Sequence, residues 1–173
     1  MKITYCQITP KNINSFREVM IPGVYKELLQ QEEPYVNRYF AIGAKAEGET
    51  AGALVADHSE ITGDLLILSL FVKRAYQGRD IGSGLLKKLV DLAYVSYDRG
   101  PGEYGVDIFV KMMYSLPDDI REGLEQFLKK NEFTDFYVFE KGRDGKPDTR
   151  GASAQVHFMY SPEETEETLD QQV

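Results

Sequence analysis

The sequence contains little that could fix a fold by covalent or metal chemistry. Its 173 residues include one cysteine, Cys6, and no tryptophan. One cysteine excludes an intrachain disulfide, and no run of cysteine and histidine has the spacing of a structural zinc site. We therefore expect a chain that is held together by its packed core, that binds no metal, and that works in the cytoplasm.

Long apolar runs and an excess of positive charge are also missing. No stretch approaches the roughly 18 apolar residues that a membrane span requires, so we expect neither a membrane anchor nor a targeting segment. The chain has 28 acidic residues against 20 Lys and Arg, which gives a formal net charge of -8. Because nucleic acids and anionic membranes are bound by clustered Lys and Arg, we expect neither as a partner.

What is present is ordinary for a folded protein. Hydrophobic residues make up 42% of the chain and charged residues 28%, and these shares are typical of a soluble globular domain. Glutamates are frequent among the last residues of the sequence, where almost no apolar residues occur. We expect one domain over residues 1–161 and an acidic, mobile tail over residues 162–173.

The hydrophobic pattern predicts strands and helices in a definite order. Strands are predicted at 2–9, 39–46, 50–58, 64–72, 105–112, 134–141 and 152–160. Two short helices are predicted within 12–31, and longer ones at 82–98 and 116–131. A polar loop at 142–151 joins the last two strands. The fold class is therefore α/β (α+β): a mixed, mostly antiparallel sheet of about seven strands with helices on both faces. Residues 65–72 are apolar at nearly every position, which is typical of a central strand covered on both sides.

One loop carries the clearest chemical signal. Residues 77–84 read Gln-Gly-Arg-Asp-Ile-Gly-Ser-Gly and lie between the apolar strand and the amphipathic helix. Glycines allow a sharp turn, and the amides and positive dipole end of the helix favour a phosphate there. The structural alternative is a tight turn without a ligand. The glycine spacing fits neither the dinucleotide fingerprint nor the P-loop.

The same region resembles the signature of the GNAT superfamily of N-acetyltransferases. The order of elements agrees with that fold over nearly the whole chain. The matching positions are Val72, Tyr76, Gln77, Gly78, Ile81, Gly82, Leu85 and Leu86. The resemblance implies an enzyme that transfers an acetyl group from acetyl-CoA, its acyl-donor cosubstrate, to a primary amine by direct attack of the amine.

The resemblance also implies where acetyl-CoA is held. The implied residues end the apolar strand and form the loop: Leu70, Phe71, Val72, Gln77, Gly78, Arg79, Asp80, Ile81, Gly82, Ser83 and Gly84. The acceptor is a small-molecule or peptide amine that no motif identifies, although the acidic surface leans toward a cationic one. Dimers are common in that family, so a homodimer is one expectation.

Four positions depart from the family pattern. Arg74 replaces a frequent proline. Asp80 replaces a glycine of the signature, Leu66 stands where a frequent glutamate base lies, and Leu128 stands where a tyrosine often acts as acid. Tyr114 and Asp64 are therefore the candidates for acid and base. Each has a structural alternative, as a packing residue and as a turn residue. The departures leave a second hypothesis open, a regulatory module that binds CoA without turnover.

Overall fold

The computed structural model describes residues 1–30, 39–59, 64–97, 107–113, 116–138 and 155–161. The chain forms two compact units, Met1–Ile108 and Phe109–Val173, which are considered separately below. In the described ranges, no helix is long and apolar enough to cross a bilayer, and no three His, Cys, Asp or Glu side chains are grouped as metal ligands. The predicted loop at 142–151 and the tail at 162–173 lie outside the described residues.

The first unit is an antiparallel meander of four strands. These are β1 (Ile3–Gln7), β2 (Tyr39–Ala46), β3 (Glu49–His58) and β4 (Leu65–Val72), and each pairs with the next. Glu47 and Gly48 join β2 to β3 with positive φ angles of 50° and 88°. Two successive positive φ values match the right-handed twist of a hairpin, which explains the tight turn.

Helices cover both faces of this meander. A 3-10 helix (Ile13–Val19) and α1 (Pro22–Gln30) lie on one face, where Phe16 is fully buried with Ala53 and Val55 of β3. Helix α2 (Ile81–Tyr97) contacts all four strands from the opposite face. The predicted pair of short helices is confirmed, and Pro22 begins the second because proline suits the first turn of a helix.

Two glycines allow these helices to approach the sheet closely. A Cβ atom at Gly43 of β2 would lie 2.2 Å from the Phe16 ring. A Cβ atom at Gly84 of α2 would lie 1.9 Å from Oη of Tyr5, a residue of β1. The two contacts are on opposite faces, so each face has one position where only glycine fits without a shift of its neighbour.

The second unit contains β5 (Ile108–Met113), α3 (Asp118–Lys130), β6 (Phe133–Val138) and β7 (Gln155–Tyr160). The first residue of β5, Ile108, is the last residue of the first unit. Strand β7 lies between β5 and β6 and pairs antiparallel with both. Helix α3 has two aspartates in its first turn and two lysines in its last, which complement the helix dipole. Leu128, Phe133 and Phe158 are buried in this unit.

The predicted fold class is confirmed, since the described residues contain seven strands, every pairing described above is antiparallel, and helices lie on both faces of the meander. One detail is wrong. Strand β4 was expected to be covered on both sides, but its second half is not. Leu65 and Ile67 are buried, whereas Leu68 and Phe71 expose 36% and 48% of their surface. The second half of β4 is therefore available to a ligand.

Candidate functional site

The chain between β4 and α2 forms an exposed loop with two residues in the left-handed region. A short 3-10 turn (Arg74–Tyr76) follows β4, and then Gly78 and Asp80 have φ angles of 73° and 54°. The amide of Gly84 donates to the Asp80 carbonyl at 2.9 Å, which is the first hydrogen bond of α2. The amides of residues 81–83 therefore have no acceptor within the helix and lie at its positive dipole end.

The left-handed conformation explains why Asp80 can replace the glycine of the GNAT signature. A side chain is strained at positive φ, but aspartate tolerates this region better than most residues. The hydroxyl of Tyr5 has its pKa raised, first by burial and then by the negative charge of Asp80. The negative charge of Asp80 thus affects the Tyr5 hydroxyl, which packs against Gly84 in the first turn of α2.

The predicted cofactor residues do not all have the same exposure. Residues 77–80 are exposed, whereas the Ile81 side chain is buried against the sheet, so only its backbone could contact a ligand. Gly84 packs on Tyr5 and is required there for packing. Tyr5 could not be found from the sequence, because no local pattern connects β1 with a helix that begins some 75 residues later.

Positive side chains surround the loop. Arg74 and Arg79 are exposed, and Arg79 Nη1 lies 3.0 Å from the sulfur of Met1, a weak acceptor. Lys73 Nζ lies 3.0 Å from Glu18 Oε2. The hydrogen bond and the positive charge of Lys73 lower the pKa of Glu18, so the carboxylate of Glu18 is paired with a cation. The helix start, with its amides and its two exposed arginines, therefore fits a phosphate-bearing ligand.

Two side chains brace the loop against the sheet. Gln77 Nε2 donates to the Val72 carbonyl at 3.0 Å, across the base of the turn. The Tyr76 hydroxyl donates to Glu49 Oε2 on β3 at 3.0 Å, and this hydrogen bond raises the pKa of Tyr76. Gln77 and Tyr76 both match the GNAT signature, and in this chain both fix the shape of the loop.

A cavity of about 300 Å³ lies beside β4, on the face of the sheet opposite α2. It is lined by Glu18, Val19, Met20 and Ile21 around the end of the 3-10 helix, and by Ser69, Leu70 and Phe71. The β3–β4 pairing shifts here, because Val55 faces Ser69 but Ala56 faces Ile67, so Leu68 is a bulge. The bulge re-aims the side chains of β4 beside the cavity.

Of the predicted acid and base, Tyr114 and Asp64, the structure describes only Asp64. Tyr114 lies outside the described residues. Asp64 directly precedes β4, about 26 Å along the strand from Val72 at roughly 3.3 Å per residue. The amide of Leu65 donates to the Asp107 carbonyl at 2.8 Å, which brings Asp64 beside Asp107. Burial and the charge of Asp64 raise the pKa of the Asp107 carboxyl.

Neither leucine that replaces a usual catalytic group offers a proton. Leu128 is buried in α3, with 2% of its surface exposed. Leu66 pairs with Asp57 of β3, which places Asp57 on the same face of the sheet, one strand away. This neighbour of Leu66 could not be found from the sequence, because the register of β3 and β4 decides which side chains become neighbours.

Comparisons with known proteins agree with this geometry. Residues 11–94 match the model of the acetyltransferase (GNAT) family. No curated protein matches the chain. Among solved structures, a GNAT-family protein of Desulfovibrio desulfuricans is similar with a TM-score of 0.69 at 15% identity, covering 91% of this chain and 98% of that one.

Two further structures have the same fold. The ribosomal-protein-S18-alanine N-acetyltransferase of Escherichia coli has a TM-score of 0.60 at 14% identity, covering 95% of this chain and 99% of its own. The IAA acetyltransferase of Bacillus cereus has a TM-score of 0.58 at 17% identity, covering 91% and 98%. Residues 11–94 therefore match the acetyltransferase (GNAT) family, and the fold of the chain is that of these acetyltransferases.

Proposed function

We propose that this chain is an acetyl-CoA-dependent N-acetyltransferase that acetylates a primary amine by direct attack. The observation that carries the proposal is the start of α2, where the amides of residues 81–83 have no acceptor within the helix and follow an exposed loop that carries Arg74 and Arg79. Such a terminus binds pyrophosphate oxygens through backbone donors and the helix dipole. The GNAT fold supports the transfer chemistry. The proposed compartment is the cytoplasm, on the basis of the single cysteine.

The residues divide into two roles. The loop and helix start bind the phosphates, and the exposed half of β4, at Leu70, Phe71 and Val72, holds the arm that leads to the thioester. Acetyl-CoA supplies an acetyl thioester, whose C–S bond breaks as the amine nitrogen forms its bond to the carbonyl carbon. The nitrogen loses one proton and the departing sulfur gains one, so that an amide and free CoA result.

The acid and base remain proposals. Asp64 is the proposed base, and its neighbour Asp107 has a pKa raised by burial and by the charge of Asp64. Tyr114 is the proposed acid for the leaving sulfur. Holding the two substrates in line supplies a large part of the rate, so modest acid and base catalysis is sufficient.

Two measurements test the proposal. Calorimetric titration should show acetyl-CoA binding, and a panel of primary amines should release free thiol in the presence of the protein. The variant Arg79→Glu should weaken acetyl-CoA binding roughly tenfold, because it reverses a charge beside the helix start. Lys11→Glu makes the same charge change at an exposed position before the 3-10 helix and should leave binding unchanged. No binding at millimolar acetyl-CoA would exclude the proposal.

A second function follows from the two leucines. Because Leu66 and the buried Leu128 replace the usual base and acid, a regulatory CoA-binding module is the alternative. Tight binding of acetyl-CoA without thiol release for any amine would select the alternative. Turnover that is lost in Asp64→Asn or Tyr114→Phe would select the enzyme and assign the two roles.

A further inference from the structure

The turn that leads from β4 into the anion-binding loop is closed by hydrogen bonds among its own residues. The amide of Tyr76 donates to the Lys73 carbonyl at 2.8 Å. Across the base of the turn, Nε2 of Gln77 donates to the Val72 carbonyl at 3.0 Å. Residues 72–77 therefore form one closed turn, and the way this turn is attached to the sheet decides where the following loop begins.

A main-chain and a side-chain hydrogen bond attach the turn to the start of β3. The amide of Lys73 donates to the Ala51 carbonyl at 2.8 Å, which continues the pairing of β3 with β4. At the other end of the turn, the Tyr76 hydroxyl donates to Glu49 Oε2 at 3.0 Å. Glu49 is held in place because it pairs with Ala46 directly after the tight turn between β2 and β3. The main chain thus fixes one end of the turn, and Glu49 fixes the other.

The segment after the turn has backbone conformations that do not fix its own direction. Gly78 and Asp80 have φ angles of 73° and 54°, and glycine adopts many other conformations as readily. The course of residues 78–80 therefore depends on the two elements that it joins, helix α2 and the turn that ends at Tyr76. A shift of Tyr76 would move this exposed segment relative to the amides of residues 81–83 at the helix start.

Glu49 has two opposite effects on an anion that binds at this loop. Its carboxylate orients the turn through Tyr76, but it also places a negative charge near the phosphates, which repels them. The hydrogen bond to Glu49 is the main reason that the pKa of Tyr76 is raised, and the charges of Lys73 and Arg79 act in the opposite direction. The acid therefore lies among the cations of the loop. The sign of its net effect on binding distinguishes orientation from repulsion.

We infer that Glu49 is a positioning residue for acetyl-CoA, which acts through the Tyr76 hydroxyl and holds the loop in the shape that receives the phosphates. The inference rests on the proposed function. Glu49 fixes Tyr76, while the amides at the start of α2 and the side chain of Arg79 bind the phosphates. The orientation of the turn outweighs the repulsion between the Glu49 carboxylate and the ligand.

Calorimetric titration of acetyl-CoA into variants at Glu49 tests the inference. Glu49→Ala should raise the Kd about fivefold, the effect of one lost hydrogen bond. Glu49→Gln keeps an acceptor oxygen and removes the charge, so it should bind at least as tightly as the wild type. Thr50→Val is the matched control. It removes the neighbouring hydrogen bond of β3, from Thr50 Oγ1 to the Ser15 carbonyl of the 3-10 helix, and should leave the Kd unchanged.

A double variant tests whether Glu49 acts through the Tyr76 hydroxyl. Tyr76→Phe alone should raise the Kd about as much as Glu49→Ala, because each removes the same hydrogen bond. Adding Glu49→Ala to Tyr76→Phe should weaken binding no further, and should strengthen it slightly, because only the repulsion is then removed. Losses that add in the double variant would show that Glu49 acts without Tyr76, and would overturn the inference.

Hydrogen exchange in the free protein gives a readout that needs no ligand. The amides of Tyr76 and Gln77 are hydrogen-bonded within the turn, so they exchange only when the turn opens. They should exchange faster in Glu49→Ala and in Tyr76→Phe than in the wild type, whereas Glu49→Gln should exchange like the wild type. Unchanged exchange in Glu49→Ala would show that Glu49 does not hold the turn.

The failure of the inference can be told from the failure of the proposed function. Wild-type affinity in Glu49→Ala, or equal weakening in Glu49→Ala and Glu49→Gln, would overturn the inference while acetyl-CoA binding by the wild type stays intact. An absence of acetyl-CoA binding by the wild type would overturn both.

Discussion

The start of α2 and the cavity at Ser69 lie on opposite faces of β4 and differ in their physical character. The first is exposed, rich in backbone donors, and flanked by arginines. The second is walled mostly by carbon, with one buried hydroxyl and one acid bound by a lysine. One strand thus separates a surface suited to anions from a cavity lined mostly by carbon.

The two glycines that bring the helices to the sheet test this comparison with the largest expected effect. Gly43→Ala should lower the free energy of unfolding by about 2 kcal/mol, because its Cβ would meet the fully buried Phe16 ring on the cavity face. Gly84→Ala should cost less, because alanine recovers about 1 kcal/mol of helix propensity against the contact with the Tyr5 hydroxyl. Urea denaturation measures both.

A second substitution provides a control for the first. Phe16→Leu shortens the side chain that Gly43→Ala would strike, so the double variant should lose less stability than the sum of the single losses. Equal losses for Gly43→Ala and Gly84→Ala would contradict the expected gain of helix propensity at Gly84.

Asp80 sharpens the comparison on the anion side. Asp80→Asn removes the negative charge and keeps a residue that tolerates a φ of 54°. Acetyl-CoA should then bind roughly fivefold more tightly, since a repulsion near the phosphates is removed. Calorimetry measures the Kd. Asp80→Ala removes the same charge but is strained at this φ, so it separates charge from backbone. An unchanged or weaker affinity in Asp80→Asn would mean that the carboxylate does not oppose the phosphates.

The smallest effect is expected for a substitution in the pair of carboxyl groups at the start of β4, Asp64 and Asp107. The pKa of Asp107 is raised in the folded protein, so folding disfavours its charged form at neutral pH. Asp107→Asn should therefore raise the urea midpoint at pH 7. This gain should shrink as the pH falls through the folded pKa, and vanish below the ordinary aspartate value of about 3.9, where the group is protonated in both states. A lower midpoint at pH 7 would contradict this sign.

The order of strands and helices could be predicted because each element has its own local pattern. Alternating apolar residues and apolar residues at helical spacing indicated the elements, and all are present with ends shifted by a few residues where the structure describes them. The loop at 77–84 could be predicted for the same reason. Its glycines, its arginine and the following helix are neighbours in sequence, so the backbone requirement of an anion site is visible there.

The cavity depended on contacts between distant segments. Ser69 is one polar residue in an apolar strand, and the pairing with β3 and the bulge at Leu68 place it in a wall shared with Val19 and Met20. The partly exposed half of β4 was missed because an apolar strand has the same sequence whether or not anything covers it. The sequence by itself determined the elements and the chemistry of the loop, both of which are local. The tertiary structure decided which faces are open and which side chains meet, because strand register and helix packing join residues that are far apart in the chain.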